Sequence, residues 1–162
     1  MSESDAKATS LRKAGEEFRW EGVEHRPYKE EDSAPFKAIS RQALFSDPRL
    51  LAELRYFEIE PGGFSTLERH EHMHAVMVLR GRGHCLVGAE VHALGPHDLV
   101  TIEPWTWHQF RASDGAPLGF LCLVNAARDR PQLPSAQDFA ALRANPAVAV
   151  FLDGNAEAEP AR

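Results

Sequence analysis

Between Leu51 and Val124 every apolar stretch is short, and each is cut by a turn signal. Leu54 to Glu60 runs into Pro61-Gly62-Gly63, and His74 to Leu79 into Gly81-Arg82-Gly83. His84 to Val87 and Val91 to Leu94 flank Gly88-Ala89-Glu90, the pattern of a hairpin. Leu99 to Ile102 stops at Glu103-Pro104. His108 to Ala112 precedes Ser113-Asp114-Gly115-Ala116-Pro117, and Leu118 to Val124 closes the series. Thr66 to His70 reads as one further strand. Strands this short need a closed or two-sheet partner, so the pattern predicts an all-β barrel or sandwich.

The flanks read differently. Residues 1–17 are polar and are expected to be a disordered tail, with at most one helical turn near Leu11 to Glu17. Residues 18–48 form an N-terminal arm packing on the barrel, with Trp20, Val23, Tyr28 and Phe36 as anchors and Ile39 to Phe45 as a strand. Asp47-Pro48 marks a turn. The barrel occupies 49–126. A C-terminal helical extension follows over 127–152, because Ser135 with Asp138 three residues later is a capping-box-like start. Asn145-Pro146 ends that helix, and Ala147 to Leu152 forms a second short one. Residues 153–162 are expected to be a disordered tail.

The chain has 162 residues, enough for one domain with a real core. Its net charge of -6 argues against nucleic acid or an anionic membrane as partner. No apolar stretch approaches the roughly 20 residues that span a bilayer, and Met1 to Lys13 lacks the apolar core of a signal peptide. Two widely separated cysteines, Cys85 and Cys122, make no disulfide framework, so a reducing cytoplasm is expected.

Function is most legible in the histidines. His70, His72 and His74 occupy alternate positions, and His108 follows in Pro104-Trp105-Thr106-Trp107-His108-Gln109-Phe110. Side chains two apart on a strand share a face, and neutral imidazole is the commonest metal ligand. A strand edge carrying Glu68 and histidines, opposite a strand carrying His108, would hold a divalent transition metal.

These segments resemble the cupin superfamily. Pro61 to Gly83 is similar to the first cupin motif, and Pro96-His97-Asp98 to Phe110 to the second. The resemblance covers about residues 50–125 and implies a double-stranded β-barrel, the cupin or jelly-roll form, with a metal near one mouth. Aligned on Val78-Leu79-Arg80-Gly81, His74 falls where most cupins carry glutamate, and Glu68 falls on the first histidine of the usual pair. The resemblance thus implies Glu68, His70, His74 and His108 as ligands, close to the family's four-histidine variant. His72 falls in a loop, where many cupins carry a histidine that is not a ligand.

Trp105 and Trp107 are candidates to narrow the mouth above the metal. Phe110 shares His108's face by alternation, and Cys122 approaches the same pocket if its strand face is inward. The ligand set suits Fe(II) or Mn(II), with Ni(II), Cu(II) or Zn(II) as alternatives. One carboxylate would leave the ion with residual charge +1. No Ser/His/Asp relay, phosphate loop or dinucleotide fingerprint is visible, so the metal must supply most of the chemistry. The leading expectation is a dioxygenase-like oxidoreductase acting on a small organic substrate. A metal-dependent isomerase or lyase, and a ligand-binding or sensing protein, are the alternatives. A homodimer is expected, with the arm around Trp20 to Phe36 and an outer barrel face making the interface.

Overall fold

The computed structural model describes residues 11–30 and 33–154. A 3-10 turn at Glu16–Phe18 precedes nine strands: β1 (Arg26–Pro27), β2 (Lys37–Asp47), β3 (Ala52–Phe64), β4 (His74–Gly81), β5 (Gly83–Val87), β6 (Glu90–Leu94), β7 (Leu99–Ile102), β8 (His108–Ala112) and β9 (Leu118–Asn125). Two helices follow, α1 (Ala136–Arg143) and α2 (Pro146–Leu152). Of the tails expected at 1–17 and 153–162, residues 1–10 and 155–162 lie outside the described residues. Residues 11–17 are not featureless. Ala14 bridges to Trp20, and the 3-10 turn begins at Glu16.

All the ladders are antiparallel, and the sheet curls into a half-barrel. One wall runs β1-β2-β3-β9-β4-β7, and the other runs β8-β5-β6, joined to the far end of β3. The join depends on β3 passing through Pro61-Gly62-Gly63 instead of stopping there. Gly62 takes φ +73°, and a Cβ on Gly63 would lie 2.6 Å from the Lys37 carbonyl oxygen. The pair therefore bends the strand, and Phe64 reaches across to Arg111 of β8. The strand expected over Thr66 to His70 is reduced to isolated bridges, Glu68 to His108 and Arg69 to Gln132. The expected hairpin over Gly88-Ala89 is present as β5–β6.

Residues directly opposed in a ladder share a face. The registers place Ile39 and Arg41 of β2, Arg55, Phe57 and Ile59 of β3, Phe120, Cys122 and Val124 of β9, and His74, Val76 and Val78 of β4 on one inward face. From the other wall, His108 and Phe110 oppose Val87 and Cys85. The apolar members form the main core, where Phe57 and Phe110 both stack on Phe120, with centroids 5.6 and 4.9 Å away.

The helices cap a smaller core. Ser135 and Asp138 make a reciprocal capping box, and Asn145 caps α2 with Pro146 at its first position. Val148 and Phe151 are buried with Leu67 and Leu86 on the outside of the barrel. The arm packs on its own barrel. Phe18 and Trp20 lie against Tyr56 on the outer face, and Tyr28 packs edge-on to Phe57 inside. No described helix is long and apolar enough to cross a membrane.

Candidate metal centre

Three of the expected ligands converge. His74 opens β4, His108 opens β8, and His70 sits on the connection between β3 and β4, its carbonyl accepting from Trp105 N–H at 2.7 Å. Their ring centroids form a nearly equilateral triangle of 5.1, 4.9 and 4.9 Å. One ring nitrogen from each lies within 4.8 Å of the others, so the group can hold a metal ion.

The proton positions suit that role. The His72 carbonyl accepts from His70 Nδ1 at 2.7 Å, and the Thr106 carbonyl accepts from His108 Nδ1 at 2.9 Å. A carbonyl can only accept, so both Nδ1 atoms carry the proton and both Nε2 lone pairs remain free. His74 Nε2 is buried with no hydrogen-bond partner among the described residues. A polar atom left that way is costly unless something else binds it. Burial, with the neighbouring His108 and His70, pushes His74 down to about 2, and burial pushes His108 down to about 3. Burial also lowers His70. All three are therefore neutral near pH 7, as a metal requires.

Glu68 is not part of this group. Its carboxylate is paired with Lys29 from the arm, while its backbone bridges to His108. The carboxylate expected as the fourth ligand is paired with Lys29 and lines the same cavity as the histidines, and the three imidazoles by themselves would leave a divalent ion at +2. His72 stacks on His70, with centroids 3.6 Å apart. Its Nδ1 donates to Asp129 Oδ1 at 2.7 Å, and Asp129 also accepts from the backbone N–H groups of Glu71 and His72. Those bonds hold the Asp129 carboxyl well below the usual carboxylate range. His70, His72 and Asp129 form a second cluster close enough to hold an ion. The hydrogen bonding there marks His72 as an oriented imidazole.

The histidines line a cavity of roughly 190 Å³. Phe57, Val76, Phe110 and Phe120 supply apolar walls, and Cys122 sits beside His74, with Sγ 3.4 Å from Nδ1. Phe110 and Cys122 line the cavity as alternation implied. The tryptophans do not. Trp105 is 52% exposed at a positive φ of 60° after Pro104, so its ring turns to solvent. Trp107 packs with the helical core, under the Arg69 guanidinium at 4.5 Å. Sequence reasoning missed Tyr28, Lys29, Arg41, Arg55, Arg128 and Asp129, all of which line the cavity. The available signal was an arginine in the inward register of β3, two residues before Phe57.

The Cupin domain family model matches residues 55–124. A protein of Rhodospirillum rubrum named 1-methylthio-D-xylulose 5-phosphate methylsulfurylase is 62% identical over 138 residues, covering 85% of this chain and 88% of the relative. The chain belongs to the cupin family. A crystal structure of a cupin-2 domain from Rhodospirillum rubrum matches this cupin with a TM-score of 0.82 at 62% identity, covering 86% of this chain and 93% of the other. A cupin 2 conserved barrel domain protein from Rhodopseudomonas palustris matches with a TM-score of 0.83 at 58% identity, covering 88% and 98%. In this cupin three histidines, His70, His74 and His108, lie close enough together to hold a metal ion.

Proposed function

We propose that this cupin is a metal-dependent enzyme that removes the methylthio group from 1-methylthio-D-xylulose 5-phosphate or a close analogue. The reading rests on the similarity to the Rhodospirillum rubrum methylsulfurylase. The observation that carries it within the molecule is Cys122, a cavity-lining thiol in contact with one of the three clustered histidines. A dioxygenase-like activity, the leading expectation from sequence, has no counterpart in that relative's name. A thiol beside the histidines favours sulfur transfer.

A divalent metal bound by His70, His74 and His108 would polarise the ketone next to the methylthio carbon as a Lewis acid. Mn(II) or Fe(II) suits the oxygen-rich substrate better than softer ions. A metal held by His74 Nε2 would leave the proton on Nδ1, which would then donate to Cys122 Sγ. Arg55 Nη2 is a second donor, 3.6 Å from the same sulfur. Burial raises the Cys122 thiol and Arg55 opposes that rise; a hydrogen bond donated by His74 would oppose it as well.

The thiolate of Cys122 attacks the methylthio sulfur. A Cys–S–S–CH₃ bond forms and the C1–S bond breaks. The electron pair stays on C1, conjugated to the ketone, and a proton from solvent completes a 1-deoxy sugar phosphate. A small thiol then exchanges with the disulfide, restoring Cys122 and leaving as the methyl disulfide. Sulfur is oxidised to the disulfide level and C1 is reduced, so no further oxidant or reductant is required. The aromatic walls suit the methylthio group, since sulfur packs well on rings. Two free cysteines and a thiol co-reactant support a reducing, cytoplasmic setting.

The test is incubation of metal-loaded protein with 1-methylthio-D-xylulose 5-phosphate, with and without a small thiol. The expected results are a methylthio adduct on the Cys122 peptide without thiol, and multiple turnovers with it. Loss of substrate that consumes O₂ would restore the oxygenase reading. Stoichiometric binding with no turnover under either condition would favour the ligand-binding alternative.

A further inference from the structure

The chain is acidic overall, yet one end of the histidine cavity is crowded with positive charge. Arg41 and Arg55 are diagonal neighbours on the inward face of β2 and β3, because Arg41 opposes Phe57 and Ala43 opposes Arg55. Arg128 enters from the segment after β9, its Nη1 donating to the Asn125 carbonyl at 3.1 Å. All three line the cavity that holds His70, His74, His108 and Cys122.

Their neutralisation is incomplete. Glu53 stands 3.7 Å from both Arg55 Nε and Arg128 Nη1, beyond hydrogen-bonding distance. Lys29 and Asp129, the other charges lining the cavity near them, are taken up by Glu68 and His72. The Nε atoms of Arg41 and Arg55 are buried without a hydrogen-bond partner among the described residues. Burial, followed by the charges of Arg55 and Arg41, holds the Arg128 guanidinium below its ordinary value, and Glu53 only partly offsets this. One carboxylate stands between Arg55 and Arg128 and none pairs with Arg41 among the described residues, so positive charge is in excess at this end of the cavity, and its buried donors without acceptors carry a cost.

We propose that Arg41, Arg55 and Arg128 form an anion subsite that binds the phosphate monoester of the substrate while its other end lies at Cys122 and the histidines. The choice of a phosphate ester over other anions rests on the proposed function. A dianion with three acceptor oxygens meets the unused donors of planar guanidinium forks. Arg55 touches Cys122 through the other arm of its guanidinium, so the anion subsite and the reacting sulfur are adjacent along one side chain. The subsite therefore fixes which end of an extended sugar phosphate faces the thiol.

The test uses full-length, metal-loaded protein and calorimetric titration with D-xylulose 5-phosphate and with D-xylulose. The ester is expected to bind about 30-fold or more tightly than the free sugar. Arg128→Gln and Arg41→Gln are each expected to cut that ratio by about 10-fold, while metal content and the affinity for D-xylulose stay unchanged. Glu53→Gln is expected to move the ratio the other way, because it removes the competing carboxylate, and a merely misfolded variant would not do that. Equal affinity for ester and free sugar, including no measurable binding of either, overturns the subsite. So does a ratio unmoved by both arginine changes, or a fall in Glu53→Gln. The two readings separate cleanly. An ester preference carried by the arginines without methylthio transfer keeps the subsite and removes the proposed reaction. Transfer with KM unchanged in both arginine variants keeps the reaction and removes the subsite.

Discussion

His74 Nδ1 lies 3.4 Å from Cys122 Sγ, and the two residues come from adjacent strands of one inward face. The contact joins an imidazole of the candidate metal group to a cavity thiol. A metal on His74 Nε2 commits the proton to Nδ1, so loading the metal also determines the hydrogen bond that the sulfur receives.

Cys122→Ser is accordingly expected to retain metal and fold while losing methylthio transfer by about 100-fold or more, since a hydroxyl is a far weaker sulfur nucleophile. Metal analysis and turnover measured on the same preparation check this. Full activity in the variant would remove Cys122 from the reaction.

The ligand set makes a graded prediction. His70→Ala, His74→Ala and His108→Ala should each weaken metal binding by about 100-fold or more. His72→Ala should cost much less. Glu68→Gln should keep most of the metal, because its carboxylate is held by Lys29 and stands outside the histidine group. Chelator competition against each variant reads the order directly. A Glu68→Gln protein as poor in metal as His108→Ala would return Glu68 to the ligand set.

The metal-free protein should lose stability on mild acidification. His74 and His108 sit near 2 and 3 when folded, against an ordinary 6.5 in the unfolded chain. Above about pH 6.5 neither state takes up a proton at these sites, so they add no pH dependence. Below it the unfolded chain binds protons that the folded chain refuses, and stability falls as pH falls. The slope is on the order of 1 kcal/mol per histidine per pH unit between about pH 6 and 4. Urea unfolding of chelated protein across that window measures it, and His108→Gln should flatten the curve. A flat wild-type curve over the same range would contradict the burial of these rings.

We propose a homodimer whose interface lies on the outer sheet face, without the arm that the sequence suggested as part of it. The arm's aromatics are already covered, with Phe18 and Trp20 on Tyr56 and Tyr28 on Phe57. The neighbouring strands β7, β4 and β9, and β2 beyond β3, instead expose Leu99, Met77, Leu123 and Phe45. Such a row suits a two-fold partner. Leu123→Lys is predicted to shift the sedimentation coefficient from dimer to monomer without emptying the metal site. A wild-type monomer at micromolar concentration would rule the assembly out.

Much of the barrel was legible because its signals are local. Turn residues and alternation lie within a few positions of each other, so β5–β6, β7, β8, β9 and both capped helices can be read directly from neighbouring residues. The same alternation put His108 with Phe110, and it put Cys122 on one face of the last barrel strand. It failed at Pro61-Gly62-Gly63. There the pair reads as a stop, but the packing of Gly63 against Lys37 turns it into a bend.

By itself the sequence determined that this chain is a short-stranded β-barrel carrying histidines at metal-ligand spacing, because both properties depend on the backbone period of a strand. Only the tertiary structure decided which polar groups share the cavity. Glu68 meets Lys29 across 39 residues, His72 meets Asp129 across 57, and Arg55 meets Cys122 across 67. Curling of the sheet creates those encounters, and no local pattern encodes the depth or direction of a side chain at a shared mouth. Trp105 and Trp107 make the same point from the other side. Their spacing placed them beside His108, but a positive φ and a second core outside the barrel turned both rings away from it.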